Sequence, residues 1–436
     1  MSDPLHVVVV GAGPGGMAAA AAAAEHGCRV QLADESPAPG GQLWRGYDRA
    51  SARHSPHGAA YAKWIARLDA SGAEILPGTS VVDHPGSGLL RVERGGQPRD
   101  LEFDRLIVAT GARERFLPFP GWTLPGVTGV GGLQALVKAG LPIAGKRIAV
   151  AGSGPLLLAV AAGLTRAGAA VLGIFEQAPP SQLVQFGATL MAHPAKLVEG
   201  AQYRWITRHA SYKTGWWVKG AIGNARLESI AVTDGASTRE MACDYLACSY
   251  HLAPNLELAQ LLGCRIENGL VYVNAVQETS VPGVFCAGEP TGIGGLDKAL
   301  VEGQMAGLAA AGHIGKAAQF LPTRQRLAGF AQRLDRAFAP RAELRALAEP
   351  GTIVCRCEDV TRAELEHCTS GRAARLHTRC GMGPCQGRIC GPATEFLFGW
   401  SAAGVRPPIY PVRVATLAGS PIDWTTESTL ATHMKK

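Results

Sequence analysis

Residues His6 to Gly16, His-Val-Val-Val-Val-Gly-Ala-Gly-Pro-Gly-Gly, restrict the folds open to this chain more than any other stretch. Four consecutive valines make a buried strand, the glycines make a tight turn, and the alanine-rich run Ala18 to Ala24 that follows makes a helix. In such a strand–turn–helix unit Gly11 permits the turn, Gly13 lets the backbone approach a pyrophosphate, and Gly16 lets helix and strand pack closely. A glycine pattern alone is a weak signal. Here a second strand, Arg29 to Ala33, ends at Asp34-Glu35, where an acid is expected to accept the ribose hydroxyls of an adenine dinucleotide.

The opening is repeated. Lys146 to Gln177 restates it at an offset of 141, with Gly11 mapping to Gly152, Gly13 to Gly154, Pro14 to Pro155 and Glu35 to Glu176. Both acids lie 24 residues after their first glycine (35 minus 11, 176 minus 152), which selects Glu35 over Asp34. The third glycine is lost, because Gly16 maps to Leu157. A leucine there pushes helix from strand and crowds the phosphate site, so the second module is expected to be vestigial and a nicotinamide site doubtful. Were one bound, Glu176 would favour NAD by repelling a 2′-phosphate.

Between and after these modules lie Pro39-Gly-Gly-Gln42, a helix around Ala60 to Ala70, and a strand from Phe103 to Ala112 that empties into Thr110-Gly111. Gly283 to Ala287 is a comparable late strand running into Gly288-Glu289 and the loop Pro-Thr-Gly-Ile-Gly-Gly295. A helix from about Leu296 would aim its N-terminal dipole at that loop, which suits the pyrimidine side of a flavin. A basic amphipathic helix is expected over Pro322 to Phe338, then a linker, then Glu358-Asp-Val-Thr361 capping a short helix.

The C-terminal region is rich in thiols. Cys355-Arg-Cys357 and Cys385-x-x-x-x-Cys390 offer four converging sulfurs, with Cys380 as a fifth candidate. Four thiolates suit a tetrahedral zinc or an iron–sulfur cluster, but a one-residue gap fits a zinc knuckle poorly. The spacing therefore favours a two-iron cluster, whose sulfur charge the backbone at Gly381, Gly383 and Gly387 would help to offset. Cys28, Cys243, Cys248, Cys264 and Cys286 stand among apolar neighbours and read as buried hydrophobes.

Composition narrows the rest. At 436 residues the chain exceeds one ordinary domain, and a net charge of +7 spread without a Lys/Arg block gives no sign of nucleic-acid binding. No basic leader and no apolar run long enough to span a bilayer are seen, so a cytoplasmic protein is expected, with room for peripheral contact at the inner face of the membrane.

The GAGPGG start, the Ala-Thr-Gly turn and the late Ala-Gly-Glu segment resemble the two-dinucleotide-binding-domain flavoproteins related to glutathione and thioredoxin reductases. The resemblance implies one FAD held by Gly11, Gly13, Gly16, Glu35, Gln42, Thr110, Gly111, Gly288 and Glu289, the last standing where that family usually has Asp. The CRCE and TRxGMGxCQGxxC segments resemble the small helical [2Fe-2S] domain of bacterioferritin-associated-ferredoxin type, which implies Cys355, Cys357, Cys385 and Cys390 as ligands. The whole chain resembles the A-type (alpha) subunits of opine oxidases, D-hydroxyproline dehydrogenase and hydrogen cyanide synthase.

The expected architecture is α/β, with two Rossmann-like dinucleotide-binding domains and a C-terminal iron–sulfur domain. Its expected bounds are 1–115 with 277–320 for FAD, 116–276 for the second module, 321–349 for a helical linker, 350–400 for the cluster and 401–436 for a tail packed on another domain or subunit. The resemblance implies an electron-transferring subunit whose partner is a D-amino-acid-oxidase-like FAD-containing beta subunit, with room for an FMN at the interface and for a small third subunit. Electrons would run from an amino acid or opine to an acceptor such as a quinone. No redox cysteine pair accompanies Gly40 to Leu43 or Ser181 to Phe186, so the C-terminal thiols are the exit. No residue reads as a substrate acid or base; His193 and His251 lack companions at catalytic spacing. The alternatives are a self-contained NAD(P)H-dependent reductase and a scaffold with vestigial cofactors.

Overall fold

A computed structural model describes residues 3–47, 57–400 and 404–418. The chain divides into two units: Met1–Gly111 with Asn255–Gln325 and the segment from Val405, and Ala112–Pro254 with Arg326–Gly404.

In the first unit, Val284–Cys286, Arg105–Val108, His6–Val10, Arg29–Asp34 and Glu74–Pro77 lie side by side in that order, all parallel. His6–Val10 sits in the middle and is buried on both faces, which is why its sequence is an unbroken valine run rather than an alternation. Thr79–Gly86, Leu89–Arg94 and Gln97–Glu102 form an antiparallel meander beside it. The second unit repeats the plan. Ser211–Thr214, Ala170–Glu176, Arg147–Ser153, Tyr245–Tyr250 and Val127–Thr128 make a second parallel sheet, and Trp217–Ile222, Ser229–Thr233 and Thr238–Ala242 a second meander.

Helix Pro14–Ala24 packs against helix Gly295–Ala310 through small residues. A Cβ at Gly303 would stand 2.1 Å from Gly15 O, and one at Gly307 2.3 Å from Ala19 O, so only glycine lets the two backbones come this close.

Two boundaries differ from those read in the sequence. The chain returns to the first unit at Asn255, not at residue 277, because Leu258, Ala259, Cys264 and Val271 pack with Val8, Val10 and Val108 in its core. The cysteine-bearing segment belongs to the second unit, where Leu344, Leu347 and Phe396 join the core around Phe116 and Trp122. Of the tail, residues 401–403 and 419–436 lie outside the described residues; Ile409 N–H donates to Val82 O at 2.8 Å, adding this stretch to the first meander. The expected basic helix is present as Leu321–Ala337, and helix Arg362–Glu366 starts at a capping box formed by Thr361 and Glu364.

Candidate functional site

The glycine loop of the first unit is an open cradle. Gly11 has φ +103°, and a Cβ there would meet Ala109 O at 2.3 Å; a Cβ at Gly16 would meet Gly11 O at 1.7 Å. Gly13, by contrast, faces only the Cα of Gly41, at 3.9 Å, and is half-buried. It precedes helix Pro14–Ala24, whose first turn carries no acidic residue and no side-chain cap. An uncapped helix N-terminus behind an open glycine turn is the arrangement a pyrophosphate fills.

By strand register the counterpart of Glu176 in this module is Asp34 rather than Glu35. Arg29–Asp34 pairs with His6–Val10 without interruption, so the ladder continued past Val10 and Ala33 sets Gly11 opposite Asp34. In the second module the register shifts between Ile148 and Ala149, leaving Leu172 as an extra residue, and Gly152 pairs with Glu176. Counting residues to the acid therefore overshot by the bulge, and Asp34 is the structural counterpart of Glu176. Asp34 Oδ2 accepts from Ala12 N–H at 2.5 Å and Oδ1 from Ser36 N–H at 2.7 Å, while Glu35 is exposed.

At the other end of the same unit, Gly111 has φ +69° with nothing near the position of its Cβ, and Gly288 has φ +84°. The Thr110 hydroxyl donates to Asn255 O at 2.8 Å, and Asn255 Nδ2 donates back to Thr110 O at 2.8 Å, so this side chain closes the turn. Glu289 turns inward: its two oxygens accept from Gly294 and Gly295 N–H, each at 3.0 Å, at the start of helix Gly295–Ala310. Burial pushes its carboxyl up from the ordinary range, against the pull of Lys298 and of those two N–H groups. Gln42 is exposed, next to Gly41, whose Cβ would crowd Gly13 Cα at 2.8 Å. Beneath the loop lie Lys298 and Glu302, 3% and 1% exposed, which motif reading missed; their signal was a Lys and a Glu one helical turn apart in a run of Ala and Gly.

In the second unit the same crevice is closed. Gly152, Ser153 and Gly154 are buried, Glu176 is 1% exposed and Gln177 0%, because the chain after helix Leu321–Ala337 lies over them. The Ser153 hydroxyl donates to Phe338 O at 2.6 Å, Gln177 Nε2 donates to Ala339 O at 3.1 Å, and Arg341 N–H donates to Gln177 Oε1 at 3.1 Å. Glu176 accepts from Gly154 and Ala178 N–H, each at 2.8 Å, and burial pushes its carboxyl up to about 7. Leu157 is buried under the turn, as its size requires. His251 pairs with Asp335 at 3.1 Å, and His193 packs on Phe330 with ring centroids 4.7 Å apart.

The C-terminal module gathers five sulfurs. Cys355, Cys380 and Cys390 are buried with their sulfurs within 4.8 Å of one another, and the exposed Cys357 lies beside the half-buried Cys385. The four cysteines named from the sequence fall in both groups; Cys380 joins the buried one. Gly381 N–H points at Cys355 Sγ, 3.5 Å away, and a Cβ at Gly383 would collide with Cys357 Cβ at 2.3 Å, so these glycines bring the backbone onto the sulfurs. The thiols of Cys380 and Cys390 hydrogen-bond to Cys355 and hold it well below the usual thiol range, and in turn Cys355 drives both of them up. A bound metal cation would favour the ionised form of these thiols. Such a soft, all-sulfur donor set fits an iron–sulfur centre. Trp122 Nε1 donates to Ile353 O at 2.6 Å and Arg113 Nε to Arg388 O at 3.0 Å, fastening the module to the rest of its unit.

At five other cysteines burial disfavours the thiolate. Burial raises Cys28, Cys264 and Cys286, and pushes Cys243 and Cys248 up to about 12. Among the described residues no helix is long and apolar enough to cross a membrane.

Two parallel-sheet dinucleotide modules, the first with an open phosphate cradle, define a flavoprotein of the two-dinucleotide-binding class. Residues 5–309 match the family Pyridine nucleotide-disulphide oxidoreductase. The A subunit of opine oxidase from Rhizobium meliloti is 33% identical over 456 residues, covering 94% of this chain and 98% of the relative. Hydrogen cyanide synthase subunit HcnB of Pseudomonas aeruginosa is 31% identical over 423 residues, covering 88% and 91%. The L-proline dehydrogenase from P. horikoshii shares the fold at a TM-score of 0.67 and 20% identity, over 95% of this chain and 79% of that one. The thioredoxin reductase of T. acidophilum does so at 0.55 and 21%, over 71% and 99%. The chain belongs to the family of HcnB and the opine oxidase A subunits, within the pyridine nucleotide-disulphide oxidoreductases. It is therefore a flavin oxidoreductase, and the family implies FAD.

Proposed function

We propose that this chain is the electron-transferring FAD and [2Fe-2S] subunit of a heteromeric dehydrogenase that oxidises the C–N bond of an amino acid or opine. The observation that carries the reading is the buried sulfur cluster of Cys355, Cys380 and Cys390 with Cys357 and Cys385 beside it, in a flavin oxidoreductase. FAD would be held by Gly11, Gly13, Gly16 and Asp34, with Gly111, Gly288 and Glu289 at its far end and Gln42 at the rim. The cluster would be held by Cys355, Cys357, Cys385 and Cys390, with Cys380 packed beside Cys355 and Cys390. When bound, a flavin takes up two electrons and a [2Fe-2S] centre passes them singly, which suits transfer between a two-electron donor and a quinone-type acceptor.

The relatives are named as subunits, and kinship with an opine oxidase points to a partner that carries out the amine chemistry. Surface chemistry agrees. Helices Pro180–Leu190 and Pro194–Ile206 and the Met191 cap between them expose Val184, Met191, Leu197, Val198 and Trp205, the last at 70%, and no residue of the second helix is fully buried. Exposed apolar side chains in this number suit contact with another chain. The partner proposed is an amino-acid-oxidase-like flavoprotein subunit, with an FMN between the two where the complex carries one.

The test is tagged purification from the native host, EPR of the dithionite-reduced sample, and mass spectrometry of what co-purifies. A two-iron signal with a co-purifying flavoprotein subunit is expected. Zinc in place of iron, or oxidation of an amino acid by the isolated chain, overturns the reading.

A further inference from the structure

Lys298 and Glu302 stand one turn apart on helix Gly295–Ala310, with Nζ 2.8 Å from Oε2. Both ends are bonded to the loop above. Lys298 Nζ donates to Gly288 O at 3.2 Å and to Thr291 Oγ1 at 2.9 Å. Glu302 Oε2 accepts from Gly288 N–H at 3.0 Å and from the Thr291 hydroxyl at 2.7 Å. Its other oxygen has Arg324 Nε at 3.6 Å, and Arg324 also donates to Asn274 O at 3.1 Å. One residue, Gly288, is thus gripped at its N–H by the anion and at its C=O by the cation.

A buried ion pair is a poor stabiliser, because desolvation offsets most of the attraction and an apolar pair of the same size often does as well. Stability does not account for this one. Its setting does: it lies under Gly288–Gly295, at the N-terminus of a helix locked onto Pro14–Ala24 through Gly303 and Gly307, and that second helix carries the phosphate cradle.

We infer that Lys298 and Glu302 are positioning residues for the flavin, which fix the Gly288–Gly295 loop and set the electric field at the flavin's far end. The inference rests on the reading that the first unit holds FAD. A reduced flavin carries more negative charge than an oxidised one, so a fixed cation nearby favours reduction and a fixed anion opposes it. Lys298 and Glu302 act with opposite sign, balanced by Arg324 and Glu289. Removing one charge must then shift the reduction potential in a direction set by that charge. Mere loosening of the loop has no such sign.

The experiment is a dye-equilibrated reductive titration of the full chain with its FAD, comparing wild type, Lys298→Met, Glu302→Gln, the conservative Lys298→Arg and the double variant, with FAD per chain measured for each. Lys298→Met is expected to disfavour reduction and Glu302→Gln to favour it, each by about tenfold in the oxidised-to-reduced ratio at fixed potential. Lys298→Arg and the charge-neutral double variant should return close to wild type. Shifts of one sign in both single variants, or none in either, overturn the inference. Should the single variants lose FAD, recovery of FAD in the double variant supports it and continued loss overturns it. Wild-type chain reconstituted with FAD that fails to retain it overturns the flavin reading itself, a separate failure.

Discussion

The Ser153 hydroxyl donates to the carbonyl of Phe338 at 2.6 Å, so the turn that would receive a nicotinamide dinucleotide in the second module is bonded to the chain's own linker. Gln177 holds Ala339 and Arg341 in the same way. A dinucleotide could enter only by breaking these buried bonds, each worth about 1 kcal/mol, and by leaving polar groups unpaired. Mixing the anaerobic protein with NADH or NADPH in a stopped-flow instrument should leave the flavin oxidised. Rapid bleaching by either would show that the linker leaves the crevice and would favour a self-contained reductase.

Glu176 gives a pH signature. Its folded-state carboxyl sits up at about 7, whereas an unfolded Glu titrates at about 4.3. The folded state therefore binds the proton more tightly, and this contribution to stability is complete below the unfolded value and is lost as pH rises through about 7. The upper bound is about 4 kcal/mol. Chemical denaturation of wild type and Glu176→Gln at pH 5 and pH 8 should show the wild type losing more stability between the two than the variant. Equal losses would place an ionised carboxylate in that buried turn.

The sulfur cluster separates its members by substitution. Cys355 and Cys390 belong both to the buried trio and to the four cysteines read from the motif, so Cys355→Ser and Cys390→Ser should abolish the two-iron EPR signal. Cys380→Ser is expected to keep a signal with altered g values, because Cys357 and Cys385 remain to complete four ligands. Cys368→Ser, whose thiol reaches only Glu364 O at 3.8 Å, should match wild type. A lost signal in Cys380→Ser with a retained one in Cys385→Ser would transfer the ligand role.

What the sequence could show follows from how local each signal is. The valine run, the glycine turn and the repeat at Gly152 are local patterns, and they fold as read. The choice between Asp34 and Glu35 was not local: it depended on a bulge at Leu172, which leaves no mark in a count of residues. The closing of the second crevice was legible in part through Leu157, but the agent is a backbone segment far along the chain, whose carbonyls have no side-chain signature. Lys298 and Glu302 were visible as charges in an apolar helix, yet their meaning required knowing that the helix is buried against Pro14–Ala24. In the same way the cysteine spacing carried no sign that Cys355 and Cys390 group with Cys380.

The seam between the two helices of the first unit offers the last test. A Cβ at Gly303 meets Gly15 O at 2.1 Å and Ala18 Cβ at 3.0 Å, and neither a carbonyl in a helix nor an alanine can move aside cheaply. Gly303→Ala must push helix Gly295–Ala310 away from Pro14–Ala24, at about 1–3 kcal/mol for overpacking. Gly315, exposed and with nothing within 4 Å of the position of its Cβ, is the control: alanine there should stabilise by about 0.5–1 kcal/mol through backbone entropy. Thermal unfolding and FAD content of the two variants check this together. If the seam fixes the phosphate cradle relative to the Gly288–Gly295 loop, Gly303→Ala loses FAD as well as stability, while Gly315→Ala keeps its full content.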